Sequence, residues 1–183
     1  MIRLFAALAV PPDIGRALQA RQTGIDGARW RPLEALHVTL RFYGEVREDI
    51  TRELDAELLT VARAPFEMIL EGSGAFADGE GPSAVWAGVA ENADLRRLAK
   101  ACERAARQVG LKPDPRRYHP HVTLAYLRRP DPVQVAAWIE THARLQSPPI
   151  PVERFQLYSS VLSPEGSRYR PEADYPLVQA GTA

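Results

Sequence analysis

What is scarce in this sequence sets its first limits. Cys102 is the only cysteine, set among charges in LRRLAKACERAARQ, so no intramolecular disulfide, CxxC pair or Cys-based zinc site can form. A reducing cytoplasm is the expected compartment. Net charge is missing too: Lys plus Arg and Asp plus Glu each number 23. That balance excludes an overall basic field for a long nucleic acid, and any such partner must be recognised locally. Lys100 and Lys112 are the only lysines; with the many alanines, this arginine excess reads as composition bias rather than phosphate binding. No apolar run approaches the ~20 residues that span a bilayer. LFAALAV after Arg3 is short and closed by Pro11-Pro12, so a buried first strand is expected there rather than a signal sequence.

What is present is ordinary for a globular protein: 45% apolar and 25% charged residues in 183, enough for one domain over 1–183 with a substantial core. IRLFAALAV has strand length, and Pro12 opens a helix to about Gln22. LEALHVTLRFYGEV alternates with period 2 up to Gly44, which predicts a strand. Ile50, Leu54, Leu58 and Val61 then share one helical face. PFEMILEGSGAF and SAVWAGVA read as strands joined at the hairpin signal ADGEGPS. NADLRRLAKACERAARQVG reads as a helix capped by Asn92 or Asp94 and ended by Gly110. RYHPHVTLAYL predicts a strand, DPVQVAAWIETHARL a helix entered at Pro132, and VERFQLYSSVL with SRYRPEADYPL a closing pair of strands. The expected class is α+β: mainly antiparallel sheets facing a central cleft, helices outside, and two lobes about a pseudo-two-fold axis.

The one visible repeat is HVTL, at His37–Leu40 and again at His121–Leu124. Residues i and i+2 of a strand share a face, so His37 projects with Thr39 and His121 with Thr123, while Val38, Leu40, Val122 and Leu124 anchor the other side. One copy alone is ordinary strand sequence. Two copies in equivalent contexts, paired about a two-fold axis, would gather two imidazoles and two hydroxyls around one point. That set suits in-line displacement at phosphorus: a neutral imidazole takes a proton from water, and an imidazolium gives one to the departing oxygen. The threonines would donate to the non-bridging oxygens. This scheme needs no metal or other cofactor.

The paired motifs resemble the signature of the two-histidine (2H) phosphoesterase superfamily. The opening RLFAAL, the tryptophan before the first motif, LHVTLRFYGEV and HPHVTLAYL are similar to its RNA 2',3'-cyclic phosphodiesterase branch, also called 2'-5' RNA ligase. The resemblance covers essentially the whole chain. It implies a bilobal fold with the site between the lobes, and opening of a terminal 2',3'-cyclic phosphate to a 2'-phosphate without a metal. It also implies reverse joining of tRNA halves, and His37 as the acid at O3' with His121 as the base for water. The sequence departs from many relatives in carrying Tyr126 where they have an arginine.

Around the motifs, Arg41 continues the His37 and Thr39 face by alternation and has two readings, a phosphate contact or an ion pair with a neighbouring carboxylate. Arg116, Arg117, Arg128 and Arg129 bracket the second motif as a local basic rim, Arg128 being the substrate-binding candidate. Phe5, Phe42, Tyr118 and Tyr126 offer rings to a nucleobase or to the core. His119 and His121 share a strand face, yet no third zinc ligand is near; His142 reads as a surface histidine, and Trp30, Trp86 and Trp138 as structural. The expected partner is an RNA end, or alternatively a small nucleotide with a cyclic phosphate, met by a monomer with no membrane association. A binding module that kept the cleft and lost turnover is the remaining alternative.

Overall fold

The computed structural model describes residues 1–163 and 166–178. In chain order the elements are β1 (Ile2–Ala9), α1 (Pro12–Gln19), β2 (Arg29–Trp30), β3 (His37–Val46), α2 (Glu48–Leu59), β4 (Phe66–Met68), β5 (Leu70–Asp78), β6 (Gly81–Val89), α3 (Ala93–Gln108), β7 (His121–Tyr126), α4 (Pro132–His142), β8 (Ile150–Val152), β9 (Arg154–Ser163) and β10 (Gly166–Pro176). This is the α+β class expected. The side chains of residues 162–167 are not among those described.

The main sheet runs β10-β9-β1-β3-β7-β6-β5, with β2 paired to β7, and every pairing is antiparallel. At its centre β3 meets β7 at one residue pair, Val38 opposite Val122. Either side of that seam the order repeats, β3-β1-β9 on one side and β7-β6-β5 on the other, so the two HVTL strands are neighbours as expected. A small separate sheet pairs β4 with β8.

One face of the sheet carries the core. Leu4, Ala6, Leu8, Val38, Leu40, Val85, Ala87, Val122 and Leu124 lie there with Ile14 and Leu18 of α1, Leu54 and Leu58 of α2, Leu95, Leu98 and Cys102 of α3, and Val135 and Trp138 of α4. Burying such apolar faces is the main favourable term in folding. Asn92 resolves the expected choice of cap: its side chain accepts from the Leu95 amide at 2.9 Å. Asp131 does the same for Val133 at 2.9 Å, with Pro132 behind it. Removing such a cap costs about 1 kcal/mol. The opposite face carries a smaller cluster, Phe5, Ala7 and Tyr158 with Phe42 and Tyr169 against it.

Three expected elements differ. LEALHVTLRFYGEV opens as a 3-10 turn over Leu33–Ala35, and its strand runs from His37 to Val46, past Gly44. PFEMILEGSGAF divides into β4 and β5, because β4 finds its partner in β8, far along the chain. The second HVTL strand begins at His121 rather than Arg117, since Pro120 has no amide for the ladder.

Candidate active site

The register fixes the site. Extending the Val38–Val122 pair by one residue each way sets His37 across from Thr123 and Thr39 across from His121. Opposite residues of antiparallel strands lie about 4.5–5.5 Å apart, and diagonal ones about 7–8 Å. The four side chains therefore form a quadrilateral with the histidines at opposite corners and the threonines at the other two. Neither threonine hydroxyl is hydrogen-bonded among the described residues, although both residues are partly exposed, so both can donate to an anion lying between the strands.

Each strand bulges just past its threonine. On β3, Ala7 pairs with Thr39 but Ala6 with Arg41, leaving Leu40 as the extra residue. On β7, Trp86 pairs with Thr123 but Val85 with Ala125, leaving Leu124 extra. A bulge breaks the alternation of faces, so the residue after each motif rejoins the helix side, and Phe42 and Tyr126 take the cleft side. The expectation for Arg41 is corrected on this ground. Arg41 is 9% exposed; its Nε lies 2.5 Å from Glu103 Oε2 of α3, Nη2 donates to the Lys112 carbonyl at 2.7 Å, and Asp114 is 3.5 Å from Nη1. The Glu103 contact is an ion pair rather than an aligned hydrogen bond. Arg41 is thus the ion-pair partner of its two readings, and no longer a phosphate contact.

The aromatic expectations divide in the same way. Phe5 is 3% exposed and packs beneath His37, ring centroids 4.9 Å apart, with Tyr158 stacked at 5.2 Å and Tyr169 edge-on at 5.0 Å. Its faces are covered, which corrects its reading as a nucleobase platform: it supports the imidazole instead. Phe42 is partly buried in the same cluster, and the Arg3 guanidinium lies over its ring at 5.0 Å. Tyr126, 43% exposed, is the most exposed ring of the four, with the Arg31 guanidinium over one face at 5.3 Å from its centroid. Tyr118 is largely buried, its hydroxyl without a hydrogen-bond partner among the described residues. Arg128 is exposed just past β7, Arg116 pairs with Asp114, and Arg129 lies 3.8 Å from Glu80.

Both histidines stand in aromatic walls. His37 has Tyr169 edge-on at 5.2 Å and Tyr158 at 6.2 Å; His121 has Phe76 edge-on at 4.7 Å and Trp86 at 6.3 Å. Trp86 approaches this closely because Gly74 lies beneath it, where a Cβ would sit 2.3 Å from the indole. His121 Nδ1 lies 2.6 Å from the His119 carbonyl; a carbonyl only accepts, so Nδ1 carries the hydrogen and Nε2 keeps its lone pair. The backbone of Ala35, also two residues upstream, interacts with His37 in the sense that favours protonation. Burial outweighs it. His37 is pushed down to about 4 by loss of solvent, then by the charges of Arg31 and His121. His121 is lowered as well, by burial first and then by His119.

Arg31 escaped the sequence reading. It directly follows β2, and its amide donates to the Leu124 carbonyl at 2.8 Å, so it enters the gap where β3 and β7 diverge. Tyr158 and Tyr169 escaped it too, because no motif marks the last hairpin. His119 and His121 stack with centroids 5.9 Å apart, and among the described residues no group of three His, Cys, Asp or Glu side chains could hold a metal ion.

Two His-x-Thr strands meeting at one seam define a two-histidine phosphoesterase site. The family follows from comparison with known proteins: the profile of the 2'-5' RNA ligase superfamily matches residues 10–162, and the chain belongs to that superfamily. It is 31% identical over 172 residues to an RNA 2',3'-cyclic phosphodiesterase of Archaeoglobus fulgidus, covering 92% of this chain and 97% of that one. It is 34% identical over 140 residues to one of Aeropyrum pernix, covering 75% and 79%. Among solved structures it superposes on TT0787 of Thermus thermophilus with TM-score 0.81 at 27% identity, over 98% of this chain and 100% of that one. It superposes on E. coli LigT complexed with 3'-AMP with TM-score 0.77 at 26% identity, over 97% and 99%.

Proposed function

We propose that this protein is an RNA 2',3'-cyclic phosphodiesterase that opens a terminal 2',3'-cyclic phosphate to a 2'-phosphate. The observation that carries the reading is the Val38–Val122 pairing, which sets His37 and His121 at opposite corners of one site. An anion between them meets a threonine hydroxyl on each strand and a proton-transfer group on each side. His121, its Nδ1 hydrogen held by the His119 carbonyl, presents Nε2 to a water and takes its proton as the water attacks phosphorus. The bond to O3' breaks opposite, and His37 in its protonated form gives that oxygen a proton; water supplies the new P–O bond, and the proton it gives up stays on His121 until it is returned to solvent as the product leaves. Thr39 and Thr123 donate to the non-bridging oxygens as charge gathers there.

His37 holds a proton only weakly in the free protein. At neutral pH both histidines are then neutral, and an anion bound between them favours the imidazolium. Substrate binding therefore brings in the proton that the leaving oxygen receives.

The substrate we assign is a short RNA end, tRNA halves included, and the same geometry run backwards joins ends through a 2'-5' bond. Zero formal net charge supports a monomer that meets few phosphates at once. The two lobes act as one domain, and the buried Cys102 thiol, pushed up to about 12 by burial, suits a reducing cytoplasm. The test is product identity: incubation with a 2',3'-cyclic mononucleotide, in excess EDTA, should yield the 2'-phosphate. A 3'-phosphate product, or rate lost to chelator and regained with zinc, would contradict this reading. Cyclic-phosphate oligomers in the same assay rank RNA ends against small cyclic nucleotides, and binding without turnover would mark a binding module.

A further inference from the structure

Arg31 has no role in the chemistry above, yet its surroundings are costly for a cation. It is 7% exposed, and its Nη2 has no hydrogen-bond partner among the described residues. Among the described residues no carboxylate pairs with it. A buried, unpaired charge is among the most destabilising features a fold can carry. Arg41, almost as buried, shows the ordinary remedy in Glu103 and Asp114.

The backbone of Arg31 is fixed to the strand of the second motif. Its amide donates to the Leu124 carbonyl, and Gln22 Nε2 donates to its own carbonyl at 2.8 Å. Its side chain reaches toward the first motif. The guanidinium carbon lies 5.3 Å from the Tyr126 ring centroid and 5.2 Å from that of Tyr169. The Tyr169 ring also stands 5.2 Å from the His37 imidazole, and His37 feels the Arg31 charge. Two ring faces orient a guanidinium and attract it, but bring no counter-charge. What this pocket lacks is an anion, at the His37 end of the cleft.

We propose that Arg31 is a substrate-binding residue whose guanidinium donates hydrogen bonds to a non-bridging oxygen of the cyclic phosphate while Tyr126 and Tyr169 hold its plane. The proposal rests on the cyclic-phosphate reading of the site. Arginine suits the task because its planar fork matches phosphate oxygens and stays charged when buried. An empty site leaves the charge uncompensated, so stability is given up for anion binding.

The test uses Arg31→Met and Arg31→Lys in the full chain, with inorganic phosphate and a 2',3'-cyclic mononucleotide as probes. Arg31→Met should melt at or above the wild-type temperature without ligand, and phosphate should no longer raise its midpoint. Its kcat/KM on the mononucleotide should fall about 10- to 100-fold, the effect of losing hydrogen bonds to a charged group. Arg31→Lys should recover part of both, keeping the charge without the fork. Three results would overturn the assignment: wild-type phosphate stabilisation and turnover in Arg31→Met, a large loss of stability in Arg31→Met without ligand, or a kcat/KM loss confined to substrates of two or more nucleotides. Phosphate reports on the site without turnover, so an inactive wild type would count against the cyclic-phosphate reading while leaving the Arg31 result readable.

Discussion

At the scale of single residues, the two histidines have the same sequence neighbours but not the same surroundings. His37 lies deeper, with Arg31 beside it and three aromatic rings around it, and is pushed down to about 4. His121 is lowered too, from the ordinary 6.5, and the His119 carbonyl fixes its tautomer. Both shifts disfavour the charged form, so the free protein loses its reactive proton as pH rises through these values. The expected outcome is that kcat/KM falls about tenfold per pH unit above about pH 6.5, as for any reaction that must capture one proton from solution. The bound phosphate raises the histidines, so kcat alone should hold to higher pH. A kcat/KM flat between pH 6.5 and 8.5 would contradict this account; initial rates on a cyclic mononucleotide over that range decide it.

At the scale of elements, the two bulges determine which side chains reach the cleft. Alternation alone identifies His37 with Thr39 and His121 with Thr123, and those assignments rest on residues before either bulge. Past Leu40 the alternation breaks, and Arg41 and Phe42 exchange faces with what period 2 expects. No residue at the bulge announces it, since Leu40 and Leu124 are ordinary strand residues; a bulge is set by pairing with β1 and β6. Arg41 is then part of the packing of α3 on β3. Arg41→Leu should leave Glu103 and Asp114 without their buried partner and cost about 3 kcal/mol, the low end for breaking such a pair. In a chain of this length that lowers the melting temperature by roughly 6–12 °C. Turnover per folded molecule should stay within a few-fold. Unchanged melting with lost turnover would return Arg41 to the phosphate.

At the scale of the whole molecule, the α+β class, the central placing of the HVTL strands and the helices on one face are legible in periodicity and in the repeat. The β4–β8 sheet and the aromatic walls from the last hairpin are not, because both come from pairings distant in sequence. Arg31 is hidden for a similar reason: only the docking of β2 on β7 brings it to the cleft. Zero net charge limits how much RNA the molecule can hold. If Arg31 is one phosphate contact, as proposed, and the exposed Arg128 a second, about two phosphates are neutralised, and the salt slope for single-stranded substrate should be about −1.4 in log–log form. Affinity should stop growing after a few nucleotides. A slope several times steeper, or steady gain with length in a titration of cyclic-phosphate oligomers, would reveal a longer track.

The central claim is that His37 and His121 act from opposite sides of one phosphate as acid and base, and a change of leaving group tests it most directly. On a ribose cyclic phosphate, His37→Ala and His121→Ala should each lose about 10²- to 10⁴-fold in rate, the usual range for general acid or base catalysis, with melting temperatures near wild type. On a substrate with nitrophenol in place of the ribose oxygen, departure needs little proton donation; His37→Ala should then regain much of its rate and His121→Ala should not. Rescue of His121→Ala alone would reverse the two roles, and equal loss on both substrates for both variants would contradict acid–base catalysis by the pair.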